Sequence, residues 1–436
     1  MIAKLVYSQY RMTDNSKDTT APDISKQTAK IGLIDQWGGK FAFFFTYMHM
    51  SHDLISGLLP ALLPFIRQDL NLNYLQTGLL VTAYSLTSGL SQLLGGWLSD
   101  RMSKTKAIAL GLGGVGLSGI AISFAPNYHV LLVTLVILGI FAGFYHPSAI
   151  SALSSHFEAR RRGRVVALHM IGGGLGFGLG PFLGAIISNQ LNWHFAFAIL
   201  GIPPLVAAAL VFSRLKLASP KLQEGTSPSQ HTPRSLKDIW YVFKPSIGII
   251  IISVAMQLVS GPVMSFIPLF LMDIYNLSAT AGSMWITIIR LGGLAGNLVG
   301  GWLIDKWGRR NTIFMILIMF GPVVMLISKI PFGFALGVVF ILFGWLMAIR
   351  ETAMQTLLMD NSPPHLRATI IGIYFSFGQQ GSSIIQPLAG DFMDTFGISG
   401  VFNVIGWLSI GLSLLAVLLV LKGLRGKKGL DKNYQA

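Results

Sequence analysis

Twelve long apolar runs, separated by short polar breaks, dominate the chain. They fall at 40–66, 74–98, 106–125, 129–155, 164–188, 193–213, 243–271, 280–303, 311–329, 333–358, 368–389 and 398–422. At 1.5 Å of rise per residue each run is long enough to cross about 30 Å of hydrocarbon. The pattern therefore predicts an all-α polytopic membrane protein of twelve transmembrane helices. The longest internal polar break, from Ser213 to Lys244, contains Pro220, Ser227, Pro228, Ser229 and Pro233 and reads as a linker between two halves. The division is a polar tail at 1–38, a six-helix bundle at 39–213, a linker at 214–242, a second six-helix bundle at 243–422 and a basic tail at 423–436. The first run is too long for a signal-peptide core, so it is expected to be a retained helix.

The two halves are related. GGWLSDR at 95–101 returns as GGWLIDK at 300–306, which puts Asp100 and Asp305 205 residues apart. At the same offset Gly139 matches Gly344, His146 matches Glu351 and Arg162 matches Arg367. A chain built twice at this period predicts parallel repeats in a two-lobed transporter.

Composition agrees and adds exclusions. The chain is 52% hydrophobic and 11% charged, with 49 glycines and no cysteine; its mean hydropathy is +0.63. Soluble domains are about 25% charged. Glycine in this abundance suits closely packed membrane helices. The lack of cysteine excludes disulfides, thiolate metal sites and cysteine nucleophiles. No His-Glu-x-x-His, phosphate-binding loop or dense carboxylate pair is present, so no enzyme activity, cofactor or bound metal is expected, and the missing phosphate loop argues against direct ATP drive within this chain.

The net charge of +15 would suggest nucleic acid but for its placement. In a twelve-span layout 28 of the 32 Lys and Arg residues fall on one side, and only Arg67 and Lys329 on the other. Positive loops stay cytoplasmic, so both termini are expected inside the cytoplasmic membrane, with anionic lipid rather than nucleic acid as the partner of the basic loops. A monomer is expected.

At GGWLSDRMSK and GGWLIDKWGRR the chain resembles the major facilitator superfamily, whose loop signature is Gly-x-x-x-Asp-Arg-x-Gly-Arg-Arg/Lys. Ser103 and Thr105 depart from that signature in the first copy. HMSHDLISGLLPALLPFI (49–66) and FYHPSA (144–149) resemble elements of its fosmidomycin-resistance-like branch, close to the drug–proton antiporters. The Arg-x-x-x-Gly element of the drug–proton antiporters is missing from the fourth helix. The resemblance implies two pseudo-symmetric six-helix bundles, alternating access, and proton-coupled export of a small, anionic or drug-like molecule. Proton-coupled uptake of an organic anion or sugar-like metabolite, and an uncoupled facilitator, stand as alternatives.

The residues that break the hydrocarbon pattern are the candidates for chemistry. Asp53 lies near the centre of the first span, His49 one turn earlier on the same face, and His52 beside it. A bare carboxylate at that depth is costly, so it must be wet, paired or protonated. Asp53, His49 and Glu351 are expected to couple protons. Arg290, Arg350, His146 and His52 are expected to bind substrate, because guanidinium groups grip anions bidentately. His169 is a weaker candidate of the same kind, and Pro147 is expected to kink the fourth span beside His146. Asp100, Arg101, Asp305, Arg309 and Arg310 are expected to form a conformational gate at the cytoplasmic ends. Gly176, Gly180, Pro181 and Gly184 resemble the fifth-helix packing motif of antiporters. Tyr47, Phe266, Trp285, Tyr374 and Phe375 suit core or lipid contacts more than a binding site.

Overall fold

A computed structural model describes residues 38–157, 159–215, 247–360, 374, 376 and 381–427. Within them the chain forms helices α1 (Gly39–Ser56), α2 (Leu59–Leu70), α3 (Tyr74–Arg101), α4 (Lys104–Ile122), α5 (Tyr128–His156), α6 (Ala159–Gln190) and α7 (Trp193–Leu210) in the first half. The second half holds α8 (Ile247–Tyr275), α9 (Ala279–Trp307), α10 (Arg309–Ile327), α11 (Phe334–Asp360), α12 (Gly381–Phe396) and α13 (Ile398–Lys427). Among the described residues, nine of these are each long and apolar enough to cross a membrane by themselves. With α1 and α2 read as one broken span, they make the twelve helices of an all-α membrane protein. Most of the proposed linker, the first 37 residues and the last nine lie outside the described residues.

The first apolar run differs from its expected single helix. Pro60 has no N–H and its ring collides with the carbonyl four residues back, at Ser56. The helix therefore stops at Ser56, Gly57 donates its N–H to the Asp53 carbonyl at 3.0 Å, and a new helix starts at Leu59. As a result Asp53 lies in the last turn of α1, near the negative end of its dipole, where cationic partners are favoured. Pro147, by contrast, sits inside an unbroken α5.

The repeat is a repeat of packing. In the first lobe α1 lies on α6, α3 on α5, α4 on α5, and α4 on α7; in the second α8 lies on α12, α9 on α11, α10 on α11, and α10 on α13. The crossing points coincide too. A Cβ on Gly139 would come within 2.5 Å of the Tyr84 carbonyl, and one on Gly344 would press equally hard on the Ile289 carbonyl. A Cβ on Gly95 would meet the Phe144 Cα at 2.8 Å, and one on Gly300 the Ile349 Cα at 3.2 Å. Every partner pair keeps the 205-residue offset. Asn71 and Asn276, at the same offset, both adopt the left-handed backbone, with φ of 51° and 55°, which Asn tolerates better than most residues.

The lobes meet through α3 against α12, α6 against α9, and α2 against both α8 and α9. Polar contacts tie them at the end remote from the basic loops. Arg67 Nη1 lies 2.5 Å from Asp273 Oδ2, which also accepts the Tyr74 hydroxyl. Both carboxylate oxygens of Asp394, on α12, accept backbone N–H groups at the start of α3, from Tyr74 and Leu75, each at 2.9 Å. Thr82 Oγ1 donates to the Ser383 carbonyl at 2.5 Å, and Ser283 Oγ donates to the Ala61 carbonyl.

Candidate functional site

The polar cluster on α1 depends on the glycines of α6. Cβ atoms on Gly172, Gly176 and Gly180 would collide with the carbonyls of Thr46, Met50 and Leu54, so the two backbones are nearly in contact. Gly184 continues the row against the Leu58 side chain, and Pro181 is buried within α6. Gly173, one position off that row, leaves space for side chains: a Cβ there would stand 2.6 Å from His49 Nε2 and 2.8 Å from Asp53 Oδ2. Gly173, just outside the expected packing motif, is thus what lets the polar pair fit.

Asp53 is held between two imidazoles. His49 Nε2 lies 3.1 Å from Oδ2 and His52 Nδ1 lies 2.7 Å from Oδ1. The far nitrogen of each ring is committed to a backbone carbonyl: His49 Nδ1 donates to His169 at 2.8 Å, and His52 Nε2 donates to Ala142 at 3.2 Å. Asp53 and His52 are each 1% exposed and His49 3%. A carboxylate so far from water needs such partners. His169 donates from Nδ1 to the Phe45 carbonyl at 3.0 Å and stacks on His49 at 4.2 Å; its buried Nε2 has no hydrogen-bond partner among the described residues. Tyr145 stacks on His52 at 4.7 Å. His146 approaches Asp53 Oδ1 to 3.8 Å and, with its side chain 35% exposed, is the open member of the group.

Nothing in the sequence pointed to the carbonyl partners, since no residue type marks them. The sequence put Asp53, His49 and His52 at one depth and His146 in the fourth span, and the structure brings all four together. His52, expected to meet substrate, is enclosed by protein and faces Asp53 instead.

The second lobe places Arg350 and Glu351 on α11 with 3.8 Å between Nη2 and Oε2. Gln355 donates to Glu351 Oε1 at 2.7 Å. Arg350 is 2% exposed, yet its Nε and Nη1 have no hydrogen-bond partner among the described residues. Beside them Ser253 Oγ donates to the buried Tyr374 hydroxyl at 3.2 Å. Arg290, on α9, makes no ion pair among the described residues. Its guanidinium lies over the Phe177 ring of α6 at 5.1 Å, within electrostatic range of Asp53 and Tyr84. It thus reaches from the second lobe onto a helix of the first.

At the basic-loop end, the side chains of Asp100 and Arg101 lie outside the described residues. Asp305 and Arg310 are exposed, Arg309 is half-buried, and Arg310 lies 5.8 Å over the Phe314 ring. The interlobe latch at the opposite end was missed. Asp394 and Tyr74 are 320 residues apart in sequence, and no local pattern couples them. Among the aromatics, Phe266 and Tyr374 are core, Tyr47 donates to the Pro203 carbonyl at 3.3 Å, Trp285 packs 5.3 Å from Phe340, and Phe375 lies outside the described residues.

His49, Asp53 and His146 present nitrogen and oxygen atoms within 4.8 Å of one another. The short contacts run between these groups and to backbone carbonyls.

Comparison with known proteins adds the following. The family profile described as Major Facilitator Superfamily matches residues 41–387 and again 249–433. The chain is 22% identical to the fosmidomycin resistance protein of Escherichia coli (strain K12), over 85% of this chain and 90% of that protein. It is 27% identical to the quinolone resistance protein NorA of Staphylococcus aureus (strain MSSA476), over 84% and 92%, and 23% identical to the uncharacterized MFS-type transporter YfnC of Bacillus subtilis (strain 168), over 85% and 90%. Among solved structures, a bacterial homologue of the human lysosomal transporter Spinster, in an inward-facing and occupied conformation, superposes with a TM-score of 0.74 at 14% identity, covering 88% of this chain and 97% of that one. A mutant of the nucleoside transporter NupG gives 0.72 at 13%, covering 87% and 99%.

Proposed function

The chain belongs to the major facilitator superfamily, and from that premise we propose that it exports a small drug-like molecule across the cytoplasmic membrane in exchange for protons. That it is a membrane transporter of a small molecule, and not an enzyme, follows from the family itself. The names of two relatives, a fosmidomycin resistance protein and a quinolone resistance protein, support export. The observation that carries the proton coupling is Asp53, buried and gripped by His49 and His52, with the half-open ring of His146 at 3.8 Å.

In this reading His146 passes protons between Asp53 and the crevice between the lobes. Arg290 and Arg350 attract the substrate, and Glu351 carries the second titratable acid. His52 belongs with the proton-coupling group. The basic loops and both termini face the cytoplasm, as the distribution of Lys and Arg supports. The Arg67–Asp273–Tyr74 and Asp394 contacts then close the outer side. Opening that latch while closing the cytoplasmic ends, where Asp100, Arg101, Asp305, Arg309 and Arg310 sit, exposes the site to the other side.

One observation favours a second reading, uptake of an organic anion together with protons. Arg290 has no carboxylate partner among the described residues and stands at the lobe interface, ready for an anion. Proteoliposomes with an imposed pH gradient separate the two. Export by exchange drives substrate against the proton flow and collapses with an uncoupler, and symport drives it along the proton flow. Transport unaffected by the uncoupler would leave only a facilitator.

A further inference from the structure

We propose that the cluster around Asp53 stores two protons, with His49 and His52 as full partners of the carboxylate, so that the site alternates between net charges of +1 and −1. This rests on the proton-coupled reading and deepens it.

The inference comes from counting hydrogens. Four short nitrogen–oxygen contacts surround Asp53: His49 to Oδ2 at 3.1 Å and to the His169 carbonyl at 2.8 Å, and His52 to Oδ1 at 2.7 Å and to the Ala142 carbonyl at 3.2 Å. All four oxygens are acceptors, and a backbone carbonyl cannot donate. Each contact therefore needs its own hydrogen. Two neutral imidazoles supply one each. The remaining two must be added, either as two imidazolium rings beside a carboxylate or as one imidazolium and a carboxylic acid. Either way the cluster gains two protons over the form with a bare carboxylate and neutral rings, and its charge rises from −1 to +1. With fewer protons, a buried lone pair would face an acceptor at hydrogen-bonding distance, where no water offsets the repulsion.

Ser56 does not remove the requirement. Its hydroxyl approaches His52 Nδ1 at 3.4 Å, but it donates to the His52 carbonyl at 3.0 Å and so offers Nδ1 only an acceptor. The other titratable or charged groups facing the cluster are Tyr145 and His146 on α5, His169 on α6, Tyr84 on α3 and Arg290 on α9. His169 offers no spare proton, because its single donor is spent on the Phe45 carbonyl.

The charge reversal gives Arg290 a role in the cycle. Against the −1 form it is drawn to Asp53. Against the +1 form it is released into the crevice. Occupancy of the proton site thus sets the charge that the crevice presents to a ligand.

The test uses the full-length protein, uniformly labelled with nitrogen-15 at histidine, in lipid nanodiscs at neutral pH. Nitrogen NMR counts the rings protonated at both nitrogens, with His49→Gln and His52→Gln variants for assignment. The infrared difference against Asp53→Asn reports whether the carboxyl is protonated. The expected sum, doubly protonated rings at 49 and 52 plus a protonated Asp53, is two, and it falls to one in His52→Gln, where a glutamine amide can donate to Oδ1. A sum of one or zero in the wild-type protein overturns the proposal. The outcome is separable from the coupling itself. A sum of one with uncoupler-sensitive transport discards the pair of protons and keeps the coupling, whereas a sum of two with uncoupler-insensitive transport does the reverse.

Discussion

The two lobes share a packing scheme but treat their buried charges in opposite ways. In the first lobe every short contact to Asp53 is made, by rings whose far sides are fixed to carbonyls. In the second lobe Arg350 is as deeply buried, yet two of its guanidinium nitrogens have no partner among the described residues. His146 and Glu351, at matched positions of the repeat, are the half-open residues beside each. A satisfied buried cluster is stable without a ligand. A buried cation with open donors is costly, and the cost is relieved when an anion or a neighbouring acid swings in. In the proposed cycle the first lobe is accordingly the seat of the driving ion, and the second the side that responds to substrate.

The sharpest way to break this contrast is Asp53→Asn, which is expected to abolish proton-coupled transport while leaving the protein folded and in the membrane, as judged by size-exclusion profile and substrate-independent thermal unfolding. Next comes Arg350→Met. Because Glu351 is partly open to solvent and keeps its hydrogen bond from Gln355, replacing this poorly paired buried ion with an apolar chain of similar length is expected to leave stability little changed, with substrate transport lost. A destabilised variant would show that Arg350 is a structural strut, and the asymmetry between the lobes would fail. Gly173→Ala pushes a methyl into the His49–Asp53 contact. It is expected to cost about 1–3 kcal/mol as overpacking and to weaken coupling more than it lowers expression. The smallest effect is expected at Asp394→Ala. Loss of a helix cap is worth about 1 kcal/mol, or about a fivefold shift between conformations, toward the state with the Tyr74 end open. Because the chain has no cysteine, a single introduced pair across that end can carry spin labels whose distance distribution reports the shift.

Much of the architecture was legible because the hydrocarbon slab imposes it. Length and apolarity alone locate most of the helices, and the 205-residue repeat anticipates which crossings are duplicated, down to Gly139 with Gly344. The break at Gly57 was missed because the run stays apolar straight through it; Pro60 held the information, but proline is tolerated in many membrane helices. Asp53, His49 and His52 were legible because charge is rare at that depth, and His146 because it stands beside Pro147 in an apolar span. Their hydrogen-bond partners were not, since these are the carbonyls of Ala142 and His169, and every residue carries one. The outer latch was illegible for another reason: Asp394 caps a helix in the other lobe, and no periodicity links positions that distant.

The most direct measurement records proton movement with a pH-sensitive dye sealed inside proteoliposomes while a gradient of a small drug-like probe is applied. Substrate flux is expected to drive protons the opposite way in the wild-type protein, and Asp53→Asn to show no such proton flux. Equal proton movement in that variant, or substrate crossing with no change of internal pH in the wild type, would contradict the proposed exchange.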